Sequence, residues 1–336
     1  MLVDAGGYAN TVTEAANSAQ EAERSGYDAY WVPETQLDPF IALAIGSERT
    51  SKIELGTAIA VAFARSPMTV ALQANDLQLA SAGRFALGLG SQIKPHITKR
   101  FSMPWSQPAA RMREYVLAVR AIWHSWRTGD KLDFRGDFYT HTLMTPFFNP
   151  GPNEYGEPPI YLAGVGTRMT EVAGEVADGF LCHGFTTERY LREVTLPALE
   201  RGRAKVGKTM AGFQISGPSF VATGNTDEEI ASATAMIKNQ LGFYGSTPAY
   251  RPVLDLHGWG EVGDELHNLT KRGEWAQIGG LIDDEMLRTF AVVGSPDEVV
   301  TELTRRYGDV ATRIAVPNGH LAHTSDGQPL LAALRG

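Results

Sequence analysis

Four places in the sequence carry residue types and spacings suited to chemistry. Glu34 and Thr35 directly follow an apolar run at residues 27–33, YDAYWVP. A carboxylate there can accept a hydrogen bond from a bound group or shuttle a proton; a solvated loop acid or a helix cap is the plainer reading. His183 follows a second run at 179–182, where an imidazole can serve as acid, base or phosphate contact, or stand as a hydrogen-bonded structural residue. Gly88-Leu89-Gly90-Ser91-Gln92 ends a third run. Its glycines either admit a ligand or let neighbouring backbone approach closely, and Ser91 and Gln92 are its polar candidates. Gly164-Val165-Gly166-Thr167-Arg168-Met169 leaves a fourth run and opens a helical stretch, where free N–H groups can hold an anion. It is not a dinucleotide fingerprint, because Met169 occupies the third glycine position.

Other chemistries lack their residues. Cys182 is the single cysteine, so an intramolecular disulfide and a CxxC site are both excluded. It sits in an apolar run and reads as an inert core residue. His96 and His320 lie after predicted strands, without the spacing of a metal motif, and no metal site is expected. No GxSxG elbow is present. Residues 202–209, GRAKVGKT, match the phosphate-loop expression, but a helix runs into the motif and a strand leaves it. That is the reverse of what aims N–H groups at phosphate, so Gly207 reads as a helix stop.

The candidates need a scaffold that brings the ends of strands together. Apolar runs at residues 1–5, 27–33, 53–61, 84–89, 160–163, 179–182, 212–222 and 312–316 alternate with amphipathic stretches. Helices are expected at 11–25, 67–82, 108–127, 168–176, 187–206, 226–240 and 299–307, with a short one opened by Asp38 and Pro39. The stretch 108–127 is the clearest of these, since Met112, Val116, Val119, Trp123 and Trp126 share one face. Eight β–α units predict a TIM (β/α)8 barrel, with candidate residues on the loops that follow the strands. Two aromatic, Gly- and Pro-containing excursions, at about 130–157 and 241–288, interrupt the alternation. The chain is expected to be one domain, residues 1–336, with two insertions.

The chain has 336 residues with a formal net charge of −8. An acidic chain of this kind points away from nucleic acid and anionic membrane as partners. There is no signal-peptide pattern and no apolar run of membrane-spanning length, so a cytoplasmic location is expected.

Six segments, YDAYWVPET, IELGTAIAVAFARSPMTVA, GRFALGLGS, RMREYVLAVRAIW, PIYLAGVGTRMTEVAGEVADGF and FAVVGSPDEVV, together resemble the bacterial luciferase-like family. Among its members the chain is most similar to the oxidoreductases that use the deazaflavin coenzyme F420. The resemblance implies a TIM barrel with insertions, a homodimer, and hydride transfer between the deazaflavin C5 and a small organic substrate. It places Glu34 and Thr35 beside the deazaflavin head, a non-proline cis peptide between Ala58 and Ile59 behind the ring, Ser91 nearby, and Gly164, Val165, Gly166 and Thr167 on the cofactor phosphate. Arg113 and Glu114 match a pair read as structural. Thr35 stands where several relatives have a catalytic histidine, and Ile93 where others have an acid. The proton-handling candidates are therefore Glu34, Gln92 and His183, with His320 behind them. An FMN-dependent monooxygenase on the same fold is the alternative, and a non-catalytic cofactor-binding barrel a second one.

Overall fold

Parallel pairing closes eight strands into a ring in the computed structural model, which describes residues 1–218 and 220–335. The strands are β1 (Leu2–Gly6), β2 (Ala29–Val32), β3 (Glu54–Thr57), β4 (Phe85–Gly90), β5 (Ile160–Gly164), β6 (Gly179–Cys182), β7 (Gln214–Ser216) and β8 (Arg313–Ala315). Each pairs with its neighbour in sequence order. Asp4 of β1 faces Ala29 of β2 on one side and Ala315 of β8 on the other, which closes the ring. This is the TIM barrel expected from the alternation, and every expected strand has a counterpart in it.

Helices pack around the ring: α1 (Val12–Arg24), α2 (Pro39–Arg49), α3 (Pro67–Ala80), α4 (Pro108–Thr128), α5 (Thr167–Val176), α6 (Leu196–Lys205) and α7 (Asp227–Gly245). Then come α8 (Arg251–Leu256), α9 (Gly260–Arg272), α10 (Asp284–Phe290) and α11 (Pro296–Tyr307). Local chemistry sets their starts. Thr11, Asp38 and Ser66 cap α1, α2 and α3 by accepting N–H bonds from Glu14, from Phe40 and Ile41, and from Thr69. All five apolar positions predicted to share a face of α4 are buried. Gly202 lies inside α6, where a Cβ would meet the Glu171 carbonyl, and Gly207 follows the helix at φ +68°. The phosphate-loop spelling is thus a helix and its stop.

The departures from expectation are informative. The run at 53–61 is not one strand: it bends after Thr57 and resumes as Ala60–Val61, which pairs with β4. The run at 212–222 also divides. Pro218 lacks the N–H that a ladder needs, so β7 stops at Ser216 and Val221–Ala222 pairs instead with Val292–Val293. The helix expected at 226–240 runs on to Gly245. The first excursion holds a hairpin, Phe134–Arg135 with Thr140–His141. The second is largely helical, α8 to α10, and builds its own apolar cluster around Phe185, Leu241, Leu254, Leu266 and Phe290.

The barrel interior is polar at its centre. Arg313 of β8, 1% exposed, donates through Nε to Asp4 Oδ2 at 2.6 Å and through Nη1 to Glu54 Oε1 at 2.7 Å. The same Nη1 lies 3.2 Å from Tyr161 Oη, and Trp31 Nε1 donates to Asp4 at 2.9 Å. Five strands, β1, β2, β3, β5 and β8, are tied by these contacts. Burial pushes the Asp4 carboxyl up to about 6, although Arg313 and Trp31 pull it back. Removing one partner strands a buried charge. Asp4→Leu alone or Arg313→Met alone is expected to cost about 3–5 kcal/mol. The double variant is expected to recover most of that in urea unfolding.

Candidate functional site

The site is assembled where β3 leaves the barrel wall. Thr57 Oγ1 donates to the Gly88 carbonyl at 2.7 Å and accepts from the Gly88 N–H at 2.9 Å. A Cβ on Gly88 would stand 1.9 Å from the Thr57 carbonyl oxygen, and one on Gly90 would stand 2.8 Å from Ile59 Cγ1. Both glycines of the GLG run therefore make room for the chain after β3. The peptide bond between Ala58 and Ile59 is cis, as the resemblance implied. Ala58 and Ile59 pack with Trp31, Ala86, Tyr161, Leu181 and Ala163 at the mouth of the barrel and form an apolar shelf there.

Glu34 secures that shelf. Its backbone N–H donates to the Ile59 carbonyl at 3.1 Å. Its Oε2 accepts from the Val61 N–H at 2.7 Å and from Arg65 Nη1 at 2.7 Å. Arg65 in turn reaches Asp38 Oδ2 at 2.7 Å and covers the Phe40 ring. Glu34 is 8% exposed. A carboxylate engaged in this way holds the shelf in place, so the geometry gives it a positioning role at the expected location. Thr35 lies beside it, and its carbonyl accepts from Arg100 of the loop after β4.

The other sequence candidates divide. Ser91 donates to the Gln92 carbonyl at 3.1 Å, and Gln92 Oε1 accepts from the Ile93 N–H at 3.0 Å. These bonds are local and stabilise the left-handed turn at Gln92, φ +58°. His320 is taken up by Tyr27, whose hydroxyl lies 3.3 Å from Nδ1. Arg113 and Glu114 do not pair with each other. Arg113 binds Glu175 at 2.7 Å, while Glu114 accepts from the N–H groups of Asp137, Phe138 and Tyr139 and fixes the hairpin. Cys182 is a thiol pushed up to about 12 by burial, hence inert.

The glycine turn after β5 leaves the start of α5 open to solvent and without a side-chain cap. Gly166 is the N-cap of α5 and supplies no side-chain acceptor to the first turn. Gly166, Thr167 and Arg168 are exposed. A Cβ on Gly166 would meet nothing within 4 Å, so the space beside these N–H groups is open. Unmet N–H groups and the helix dipole suit an anion there.

His183 is brought next to this turn, since Gly164 and Cys182 are paired partners on β5 and β6. Its Nδ1 accepts from the Phe185 N–H at 3.0 Å, and its Nε2 lies 3.3 Å from the Tyr250 hydroxyl. Burial holds its pKa down to about 4, so the ring is neutral near pH 7. Tyr244, Tyr250 and Phe220 surround this end of β6. The second excursion thus brings Tyr244 and Tyr250 to the end of β6. Sequence reading missed Arg65 and Thr57. Among the described residues no group of acidic, histidine or cysteine side chains could hold a metal.

A family model, luciferase-like monooxygenase, matches residues 2–313. The chain belongs to the luciferase-like monooxygenase family. It is 53% identical over 309 residues to an uncharacterized protein of Mycobacterium tuberculosis, covering 92% of this chain and 91% of that one. It is 27% identical over 289 residues to the 5,10-methylenetetrahydromethanopterin reductase of Archaeoglobus fulgidus, covering 84% and 82% of the two chains. Its fold is similar to that of the coenzyme F420-dependent tetrahydromethanopterin reductase of Methanopyrus kandleri, with a TM-score of 0.79 at 20% identity over 99% and 96% of the chains. Family membership makes this chain an oxidoreductase of the luciferase-like type.

Glu34→Ala leaves the Val61 N–H without its acceptor and Arg65 with Asp38 as its one carboxylate partner among the described residues. The expected loss is about 3 kcal/mol in urea unfolding.

Proposed function

We propose that the protein is a coenzyme F420-dependent oxidoreductase. In this reading hydride moves between the deazaflavin C5 and a small organic substrate. The observation that carries it is the pairing, on one barrel face, of an apolar shelf at Ala58–Ile59 with an open, uncapped helix start at Gly166–Thr167. A planar ring suits the first and a phosphate the second. The relationship to a methylenetetrahydromethanopterin reductase favours a deazaflavin over a flavin. When bound, the deazaflavin supplies the hydride chemistry. The chain's own residues do the rest. Glu34 and Arg65 hold the shelf, Thr35 and Ser91 border it, and Gly164, Val165, Gly166 and Thr167 hold the phosphate. The insertion excludes water.

The net charge of −8 gives no bulk attraction to an anionic cofactor, so binding depends on the local N–H groups at the turn. FMN is the second reading, favoured by the monooxygenase description of the family. A homodimer and a cytoplasmic location belong to the same proposal. No helix among the described residues is long and apolar enough to cross a membrane.

Fluorescence titration separates the two cofactors. Coenzyme F420 is expected to bind more tightly than FMN; tight FMN binding with no F420 binding overturns the proposal. Gly166 has φ −72°, which valine tolerates, and open space at its Cβ. Gly166→Val is therefore expected to fold normally and to lose at least about tenfold in F420 affinity, or roughly 1.4 kcal/mol.

A further inference from the structure

The mouth of the barrel carries a group of phenols that the reading above does not use. Tyr8 follows β1, whereas Tyr244 and Tyr250 come from the second excursion. The Tyr244 hydroxyl lies next to that of Tyr8, and the Tyr244 ring packs edge-on against Tyr250 with centroids 6.1 Å apart. Tyr244 packs edge-on against His183, with ring centroids 4.6 Å apart. His183 stands at the end of β6, and β1 is separated from β6 by β7 and β8. Tyr244 therefore reaches across the mouth, and the phenol oxygens gather over it. The rings packed against them are those of Phe185, Phe220, Phe243 and His183, and the Gln240 amide approaches the Tyr244 hydroxyl at 3.5 Å.

The proton on this cluster has a defined direction. An amide N–H only donates, so the Phe185 N–H makes His183 Nδ1 an acceptor. The neutral imidazole then carries its proton on Nε2, which donates to the Tyr250 oxygen. The Tyr250 hydroxyl proton is left over. Among the described residues that hydroxyl has no other hydrogen-bond partner. Burial pushes its pKa up to about 12, which keeps it protonated in the working range of most enzymes.

We infer that Tyr250, oriented by His183, donates its hydroxyl proton to the oxygen or nitrogen of a neutral, unsaturated substrate held among Tyr8, Tyr244 and Phe220. The inference rests on the hydride-transfer reading. A deazaflavin bound in its reduced form would supply the hydride to the carbon of a C=O or C=N bond. The π electron pair moves to the heteroatom, which takes the Tyr250 proton. The phenolate oxygen remains bonded to His183 Nε2–H and regains a proton from solvent. Anionic substrates are disfavoured, because the aromatic wall offers no cation to offset their desolvation. His183 is a positioning residue.

Acetophenone, which joins an aromatic ring to a neutral carbonyl, is the probe. Its binding is measured by calorimetry on the full chain without cofactor, alongside its carboxylated analogue 4-acetylbenzoate. Wild type is expected to bind the ketone and to discriminate against the carboxylate. Tyr250→Phe and His183→Leu are each expected to weaken ketone binding about three- to tenfold, the worth of one neutral hydrogen bond. His183→Gln, which keeps a donor, restores part of that loss. A purely structural role for His183 would not be rescued in this way. F420 affinity is expected to be unchanged in Tyr250→Phe. Equal ketone binding by wild type and Tyr250→Phe, no ketone binding by wild type, or preference for the carboxylate overturns the inference. Failure of wild type to bind F420 overturns the cofactor reading instead, while the ketone titration still judges the donor.

Discussion

The candidate site depends on one steric constraint, the approach of the Thr57 carbonyl to Gly88. A β-carbon at position 88 would stand 1.9 Å from that oxygen. Only glycine lets β3 turn inward there, and the Thr57 hydroxyl then secures the turn by bonding both backbone groups of Gly88. Everything at the mouth follows from this step. Ala58 and Ile59 leave the wall and become a shelf, Ile59 occupies the space that Gly90 leaves open, and Val61 presents its N–H to Glu34. The carboxylate and Arg65 then fix the shelf from the side facing β2. Glu34, read in the sequence as a hydrogen-bond acceptor or a proton shuttle, has its Oε2 engaged in shaping this surface.

Beneath the shelf, the Asp4–Arg313 pair and its partners give the barrel a polar centre. Ion pairs in such a place are not efficient stabilisers, since desolvation offsets much of the attraction. Their value here is specificity of closure: Arg313 of the last strand meets Asp4 of the first, and Trp31 stacks on the guanidinium and fills the space above Gly56. The floor under the site is held by side chains from both ends of the chain.

Much of this was legible in the sequence because it is local. The strands, the cap at Asp38, the stop at Gly207 and the glycine turn at Gly164–Thr167 all depend on neighbouring residues. The Gly88–Gly90 pair was legible as a point of close approach, but not what approached it. The bend at Ala58–Ile59 came only from resemblance, for nothing in the apolar run at 53–61 signals a break. The partnerships of Glu34 with Arg65, Asp4 with Arg313 and His183 with Tyr250 were not legible. They join residues 31, 309 and 67 positions apart, and single-sequence periodicity carries no information about which loops meet. The second excursion was recognised by its aromatic residues, but its Gly and Pro content hid the helices that place them.

A crystal structure of the protein grown with coenzyme F420 tests the central claim most directly. The account expects the deazaflavin ring against Ala58 and Ile59, and the phosphate within hydrogen-bond distance of the N–H groups at Gly166 and Thr167. A ring bound away from the shelf, or a phosphate held elsewhere with the Gly166 turn empty, would contradict it.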